Sequence, residues 1–199
     1  VMFLGEPYRV FFPLGALASI WGVMMWPMFY AGWLHFYHGD AHSRMMIEGF
    51  MGAFVAGFLG TAFPRLTGNR PWFSGEFLAL LVLWSLVVIW HSEGAVRAGD
   101  AAFCGLLVVL LLGMGARSLH CRKDTPPPGF VLVFLGGAGA ALASGYLAWC
   151  DSIMPFSWHF SRLWLFQGFA LLPLMGIGPY ILPRFYGSSS SHSFDVSRT

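Results

Sequence analysis

Residues 45–64 read MMIEGFMGAFVAGFLGTAFP, an apolar stretch with a single charged side chain, Glu48. A helix needs roughly 20 predominantly apolar residues to cross the hydrocarbon core of a bilayer, and this stretch supplies them. Its apolar side chains do not alternate with polar ones at every second position, as they would in a strand of a membrane barrel. The stretch therefore predicts a membrane-spanning helix, which satisfies its own backbone hydrogen bonds in lipid.

Five more apolar stretches extend this interpretation to the whole chain. Of its 199 residues, 57% are hydrophobic and 10% are charged, and the mean hydropathy is +0.66. The six stretches are residues 10–34, 45–64, 73–90, 101–116, 129–149 and 164–182. We predict an all-α transmembrane domain of six helices over residues 1–186, followed by a flexible, serine-rich cytoplasmic tail at 187–199.

The basic residues are distributed unevenly between the two sides of this predicted bundle. One side carries Arg9, Arg65, Arg70, Arg117, Arg122, Lys123, Arg184 and Arg198, whereas the other carries Arg44, Arg97 and Arg162. Because Lys and Arg accumulate in cytoplasmic loops, both termini are expected in the cytoplasm of a bacterial-type inner membrane. The lipid bilayer is the first expected partner, and no feature of the chain indicates nucleic-acid binding.

A weak repeat relates helices two and six at an offset of 119 residues. The residues Gly49, Phe50, Gly57, Pro64, Arg65 and Gly68 recur as Gly168, Phe169, Gly176, Pro183, Arg184 and Gly187. Taken singly, these residues have ordinary packing and helix-ending roles. Together they predict a parallel repeat, with the two helices in related positions of the bundle.

Histidines accumulate at the predicted outer side of the membrane. Five of the seven belong there, namely His35, His38, His42, His91 and His159. Imidazole binds haem iron, copper and zinc, so a metal centre is one interpretation. The other is that these histidines lie at the interface and hydrogen-bond to headgroups or loop carbonyls.

Glu48 lies about one turn inside the predicted start of helix two, where an ionisable group is costly unless it is paired or functional. Arg44, four residues earlier, is placed to form an ion pair with it on the same helix face. In the alternative interpretation, Glu48 handles protons beside a metal or haem. Gln167 occupies the equivalent position in helix six and is polar but uncharged.

The stretch HSRMMIEGFMGAFVAGFLGTAFPRLTG at residues 42–68, followed by NRP at 69–71, resembles the NnrS family, and YRVFF at 8–12 is similar to the family's opening. The resemblance spans residues 7–90 and identifies a short or diverged member. It implies a haem- and copper-containing membrane protein associated with nitric oxide metabolism. His42 matches the first histidine of the family motif, which makes it a candidate ligand, whereas Arg44 and Met45 replace the motif's second histidine and its glutamate.

Two functional hypotheses follow. In the first, the protein binds haem, expected as haem b, and copper near the outer face for electron transfer or nitric oxide handling. His42 is then the preferred axial ligand, with His159 or His38 as its partner, while His35, His38 and His91 are further metal candidates. In the second, the chain is a cofactor-free accessory subunit that packs against other membrane subunits in a respiratory or photosynthetic complex.

Overall fold

The computed structural model describes residues 6–34, 39–120, 127–150 and 155–186, and this part of the chain is helical apart from short turns. The helices are α1 (Tyr8–Tyr30), α2 (Gly39–Leu66), α3 (Ser74–Ser92), α4 (Val96–His120), α5 (Phe130–Trp149) and α6, which runs through Pro155–Leu163, Trp164–Gly168 and Phe169–Phe185. Six helices are long and apolar enough to cross a membrane. The predicted all-α membrane bundle is thereby confirmed, while the tail at 187–199 lies outside the described residues.

Neighbours in sequence pack as neighbours in space, so that α1 lies against α2, α3 against α4, α4 against α5, and α5 against α6. Helix α2 also contacts α3 and α4 and lies near the centre of the bundle. The side chains that fill the interior come from all six helices, and the largest are Phe11, Phe63, Phe103, Phe169, Met25, Met45, Met114, Leu80, Leu106, Leu107, Leu110 and Leu147. Large apolar side chains also cover the outer surface of the bundle, as expected of a membrane-embedded protein.

Three helices begin well before the starts of their apolar stretches, and the first is α2, which begins at Gly39 rather than at residue 45. Helix α4 begins at Val96 rather than at residue 101, and α6 begins at Pro155 rather than at residue 164. Proline is favoured in the first helical turn, where its missing N–H has no helical partner to lose. The three extensions contain polar residues, so hydropathy alone starts each of these helices too late.

The opposite end of α4 also runs past its predicted limit of residue 116, because Arg117 has partners inside the bundle. Its Nη2 donates to Glu76 Oε2 of α3 at 2.5 Å, and its Nη1 donates to the Gly113 carbonyl at 2.9 Å. The guanidinium lies 4.4 Å from the centre of the Trp72 ring, a cation–π distance. This contact ties α4 to α3 and to the turn that precedes α3.

Helices α2 and α6 each contain a π-helical segment, Met45–Met51 and Trp164–Gly168. The two segments begin at residues 45 and 164, which differ by 119, the offset of the sequence repeat. A π segment adds a residue to one helical turn and is frequent at functional sites. The sequence repeat thus has a structural counterpart at the level of Glu48 and Gln167.

Candidate functional site

Four ionisable side chains meet inside the bundle and form what we call the buried polar cluster: Arg44, Glu48, His91 and Asp100. Arg44 and Glu48 lie on α2, His91 lies in the last turn of α3, and Asp100 lies in the second turn of α4. All four are buried, with exposed fractions of 4%, 0%, 0% and 1%. Ionisable groups at such depth in a membrane protein are expensive and mark functional sites or obligatory ion pairs.

Arg44 is the cation of this cluster. Its Nε lies 2.6 Å from Asp100 Oδ1 and 3.7 Å from Glu48 Oε1, and its Nη2 donates to Asp100 Oδ2 at 3.2 Å. The predicted pairing of Arg44 with Glu48 is therefore present, but Asp100 is the nearer partner. Sequence reasoning missed Asp100, since it placed the start of helix four after this residue. The depth argument that singled out Glu48 would have found Asp100 had the helix been started at Val96.

His91 completes the cluster on the side away from Arg44. Its Nε2 is 2.8 Å from Glu48 Oε2, a buried hydrogen bond between α3 and α2. A Cβ on Gly99 would lie 2.6 Å from the ring nitrogen Nδ1, so only glycine lets the backbone of α4 approach the imidazole this closely. His91 is consequently fixed between two helices and is turned inward.

The turn between α3 and α4 brings His91 and Asp100 together. Gly94 has a φ of 75°, which places it in the left-handed region that favours glycine. The N–H of the following residue, Ala95, donates to the Trp90 carbonyl at 2.8 Å and closes the end of α3. This tight reversal sets the histidine at the end of one helix beside the aspartate at the start of the next.

The π segment of α2 presents Glu48 to these partners and is itself held in place from α3. Within it, the carbonyl of Gly49 accepts a 2.7 Å hydrogen bond from Trp84 Nε1. A π segment displaces backbone carbonyls from the regular helical pattern and makes them available to side chains on neighbouring helices. Trp84 thus anchors α3 to α2 about two turns before His91.

The formal charges of the cluster do not cancel. One guanidinium, two ionised carboxylates and a neutral imidazole sum to −1, and a net charge is costly in the interior of a membrane protein. One additional proton shared by Glu48, His91 and Asp100 makes the cluster neutral. These three residues also offer donor atoms that all lie within 4.8 Å of one another, the separation needed to hold a metal ion.

His42 lies six residues before Glu48, nearer to the start of α2, and is only partly buried. Its Nδ1 is 2.8 Å from the carbonyl oxygen of Gly22 on α1, and its ring makes an edge contact with Trp26 at 5.9 Å between centroids. His159 is exposed in the first turns of α6. His35 and His38 lie outside the described residues. We call this side of the bundle, where His42, His91 and His159 lie, the histidine-rich end.

Six membrane-length helices with a buried cluster of two carboxylates, a guanidinium and an imidazole define a polytopic membrane protein that keeps ionisable groups inside its helix bundle. The chain belongs to the NnrS family: the family model described as NnrS protein matches residues 2–195. The similarity therefore continues well past residues 7–90, the range in which the motifs are visible. Comparisons with curated proteins and with solved structures find no match.

Proposed function

We propose that this NnrS-family protein binds haem at its histidine-rich end, with His42 as an axial ligand, and serves in electron transfer or nitric oxide handling. The observation that carries the proposal is the 2.8 Å contact between His42 Nδ1 and the Gly22 carbonyl. A carbonyl oxygen only accepts, so Nδ1 must carry the proton and donate. Nε2 is then left with its lone pair, as an iron ligand requires.

The neighbours of His42 fix its orientation as well as its tautomer. A Cβ on Gly22 would lie 3.2 Å from Met46 Sδ, so α1 and α2 are in close contact directly beside the histidine. Trp26 packs against the edge of the imidazole from one turn further along α1. A redox cofactor needs ligands held by rigid helices within an apolar shell, and these contacts supply both on one side. Haem bound there would supply one-electron chemistry and an iron atom that binds diatomic gases.

His159 is the described candidate for the second ligand. It lies one helical turn before Arg162, whose Nη2 is 3.2 Å from Asp40 Oδ1 at the start of α2. This ion pair holds the beginning of α6 next to the beginning of α2, which carries His42. His38 and His35, the other ligand candidates of the sequence, remain proposals on sequence grounds alone. His91 fits this role poorly because its Nε2 faces Glu48 inside the bundle.

Copper in its Cu(I) form does not fit the buried polar cluster as it stands. Two carboxylates and an imidazole are hard and borderline ligands, whereas Cu(I) prefers thiolate or thioether sulfur. Arg44, with its Nε 2.6 Å from Asp100 Oδ1, also occupies the position of a cation. We therefore assign the cluster a proton-holding role beneath the proposed haem site, in which Glu48, His91 and Asp100 share the proton that makes the cluster neutral.

Visible absorption spectra and metal analysis of the purified protein test this proposal. We expect a Soret band that shifts on reduction, together with about one iron per chain at full occupancy. His42→Ala should lose the band, and His159→Ala should change the ligation signature while retaining haem. His120→Ala, on the opposite end of α4, is the matched control. Wild-type protein without haem, or full haem binding by His42→Ala, would contradict the proposal.

A second candidate function, that of a cofactor-free accessory subunit in a larger respiratory or photosynthetic complex, is favoured by Arg44. The guanidinium neutralises one carboxylate by itself, as in a structural ion-pair network with no metal. This function predicts stoichiometric co-purification of another membrane subunit in mild detergent, with no Soret band and no bound metal. A chain that carries haem and purifies alone would exclude it.

A further inference from the structure

The surface of α6 that faces away from the bundle carries a polar side chain within the apolar part of the helix. Gln167 is the chain's only glutamine, it is exposed, and it has no hydrogen-bond partner among the described residues. It lies three residues inside the apolar stretch at 164–182, as Glu48 does in the stretch at 45–64. At 3.6 residues per turn this is about one turn past the beginning of the apolar stretch. An amide left unpaired there is costly.

Gln167 belongs to a continuous exposed row that we call the α6 stripe: Phe160, Leu163, Gln167, Leu171 and Leu174. The four apolar members are exposed by 52%, 55%, 51% and 66%. Their spacings of three and four residues keep them on one helix face, with the π segment absorbed between Leu163 and Leu171. Such a row, with one polar member, has the form of a helix–helix seam in which the polar residue sets the register.

The repeat shows how the same face is used in α2. At the offset of 119 residues, Gln167 corresponds to Glu48 and Leu171 corresponds to Gly52, and both α2 residues are buried. Glu48 is covered by His91 of α3, and a Cβ on Gly52 would lie 2.8 Å from the Phe103 ring of α4. On α2 this face is therefore packed against two helices. In the described part of the chain, no helix covers the equivalent face of α6.

We propose that the α6 stripe is the contact surface for a second copy of this chain, in which the two Gln167 amides hydrogen-bond to each other. An amide offers a donor and an acceptor in one group, so two copies related by a two-fold axis satisfy both reciprocally. The surface next to the stripe also offers an apolar groove. A groove of about 820 Å³ between α2 and α6 is lined by Val55, Phe58, Leu171 and Leu174, and almost entirely by apolar side chains. The exposed leucines of one copy fit the groove of the other.

Self-association of the full chain in lipid bilayers, measured by energy transfer between donor- and acceptor-labelled copies at varied protein density, tests this proposal. Gln167→Leu should weaken the dimer about tenfold, because hydrogen bonds between membrane helices contribute modestly but measurably to association. Gln167→Asn, which keeps the amide, should retain most of the association. Each variant is first checked for unchanged helix content and thermal unfolding.

A pair of leucines provides the matched control. Leu174 on the stripe and Leu112 on α4 are exposed by 66% and 67%, so truncation to alanine removes equal surface from each. Leu174→Ala should weaken the dimer, and Leu112→Ala should leave it unchanged. Wild-type protein that stays monomeric at every density overturns the proposal, whether lipid or a different protein then covers the stripe. Equal association of Gln167→Leu, Leu174→Ala and Leu112→Ala overturns it as well.

Discussion

Replacing Arg44 by methionine is the sharpest test of how the buried polar cluster is stabilised. The substitution keeps the apolar stem and removes the only cation, leaving Glu48 and Asp100 buried with exposed fractions of 0% and 1%. Breaking a buried ion pair by removing one partner typically costs about 3–5 kcal/mol, since the remaining charge has no compensation. We expect a loss of this size in the free energy of unfolding. Denaturant titration of the purified protein in detergent micelles measures it.

Arg162→Met is the control for this change. Arg162 is the residue that aligns with Arg44 in the repeat, at a shift of one residue, and it also pairs with a carboxylate, Asp40. Both partners of that pair are substantially exposed, at 35% and 69%, and exposed pairs contribute about 0–1 kcal/mol. Each arginine also lies over the ring of Phe166, at 5.2 and 5.6 Å, so both variants lose a cation–π contact with the same ring.

A double-mutant cycle separates the charge effect from the loss of packing. If Asp100 is left uncompensated in Arg44→Met, then adding Asp100→Asn should restore part of the lost stability. The coupling between two residues in one network is expected to exceed about 0.5 kcal/mol. Equal losses in Arg44→Met and Arg162→Met, or purely additive effects in the cycle, would refute the ion-pair explanation.

Two further predictions concern packing and pH. Gly99→Ala should lower the free energy of unfolding by about 1–3 kcal/mol, since the new Cβ would lie 2.6 Å from two atoms of the His91 ring. Gly75→Ala is the control: no atom lies within 4 Å of its Cβ, and the change should raise the free energy of unfolding by up to about 1 kcal/mol. At the membrane surface, the Arg65 guanidinium holds the pKa of the Glu6 carboxyl below its ordinary value of 4.5. The ionised Glu6 carboxyl therefore stabilises the fold above about pH 4.5, and this stabilisation is lost as the pH falls below that value. In an acid titration, Glu6→Gln should lose less unfolding free energy than wild type. Identical acid profiles would contradict this assignment.

The number and type of the helices could be predicted from the sequence, because membrane-length apolarity is a local property. The ends of α4 and α6 could not, because they depend on partners distant in sequence. Asp100 can lie inside α4 because it pairs with Arg44, which is 56 residues away in the sequence. Arg117 can do so because it pairs with Glu76, which is 41 residues away. Hydropathy counts such residues against a helix, while the folded bundle compensates them through ion pairs. A sequence read without tertiary contacts therefore shortens the helices that carry the site.

Part of the candidate site could also be predicted from the sequence, because depth in an apolar stretch and spacing along a helix are local properties. Glu48 could be singled out from its depth in an apolar stretch, and Arg44 from its spacing of four residues on the same helix. His91 entered as one of five histidines at one side of the membrane, without any indication that it turns inward. Its contact with Glu48 at 2.8 Å depends on the reversal at Gly94 and on the close approach of α4 at Gly99. These are tertiary features, and in the sequence only the two glycines indicate a tight turn and a close approach of helices.

The comparison of Glu48 with Gln167 explains why the repeat keeps polarity at this position but not charge. On α2 the π segment turns the side chain into the bundle, where a guanidinium, an imidazole and an aspartate lie within reach, and an ionised carboxylate is affordable there. On α6 the equivalent π segment presents its side chain outward, where the described part of the chain offers no charged partner. A carboxylate in that position would be uncompensated in hydrocarbon, whereas a neutral amide needs only one complementary amide. The π segment of α2 thus carries a charged residue, Glu48, because the chain itself supplies the counterion. The π segment of α6 carries a neutral amide, Gln167, because the proposed partner is the same amide of a second copy.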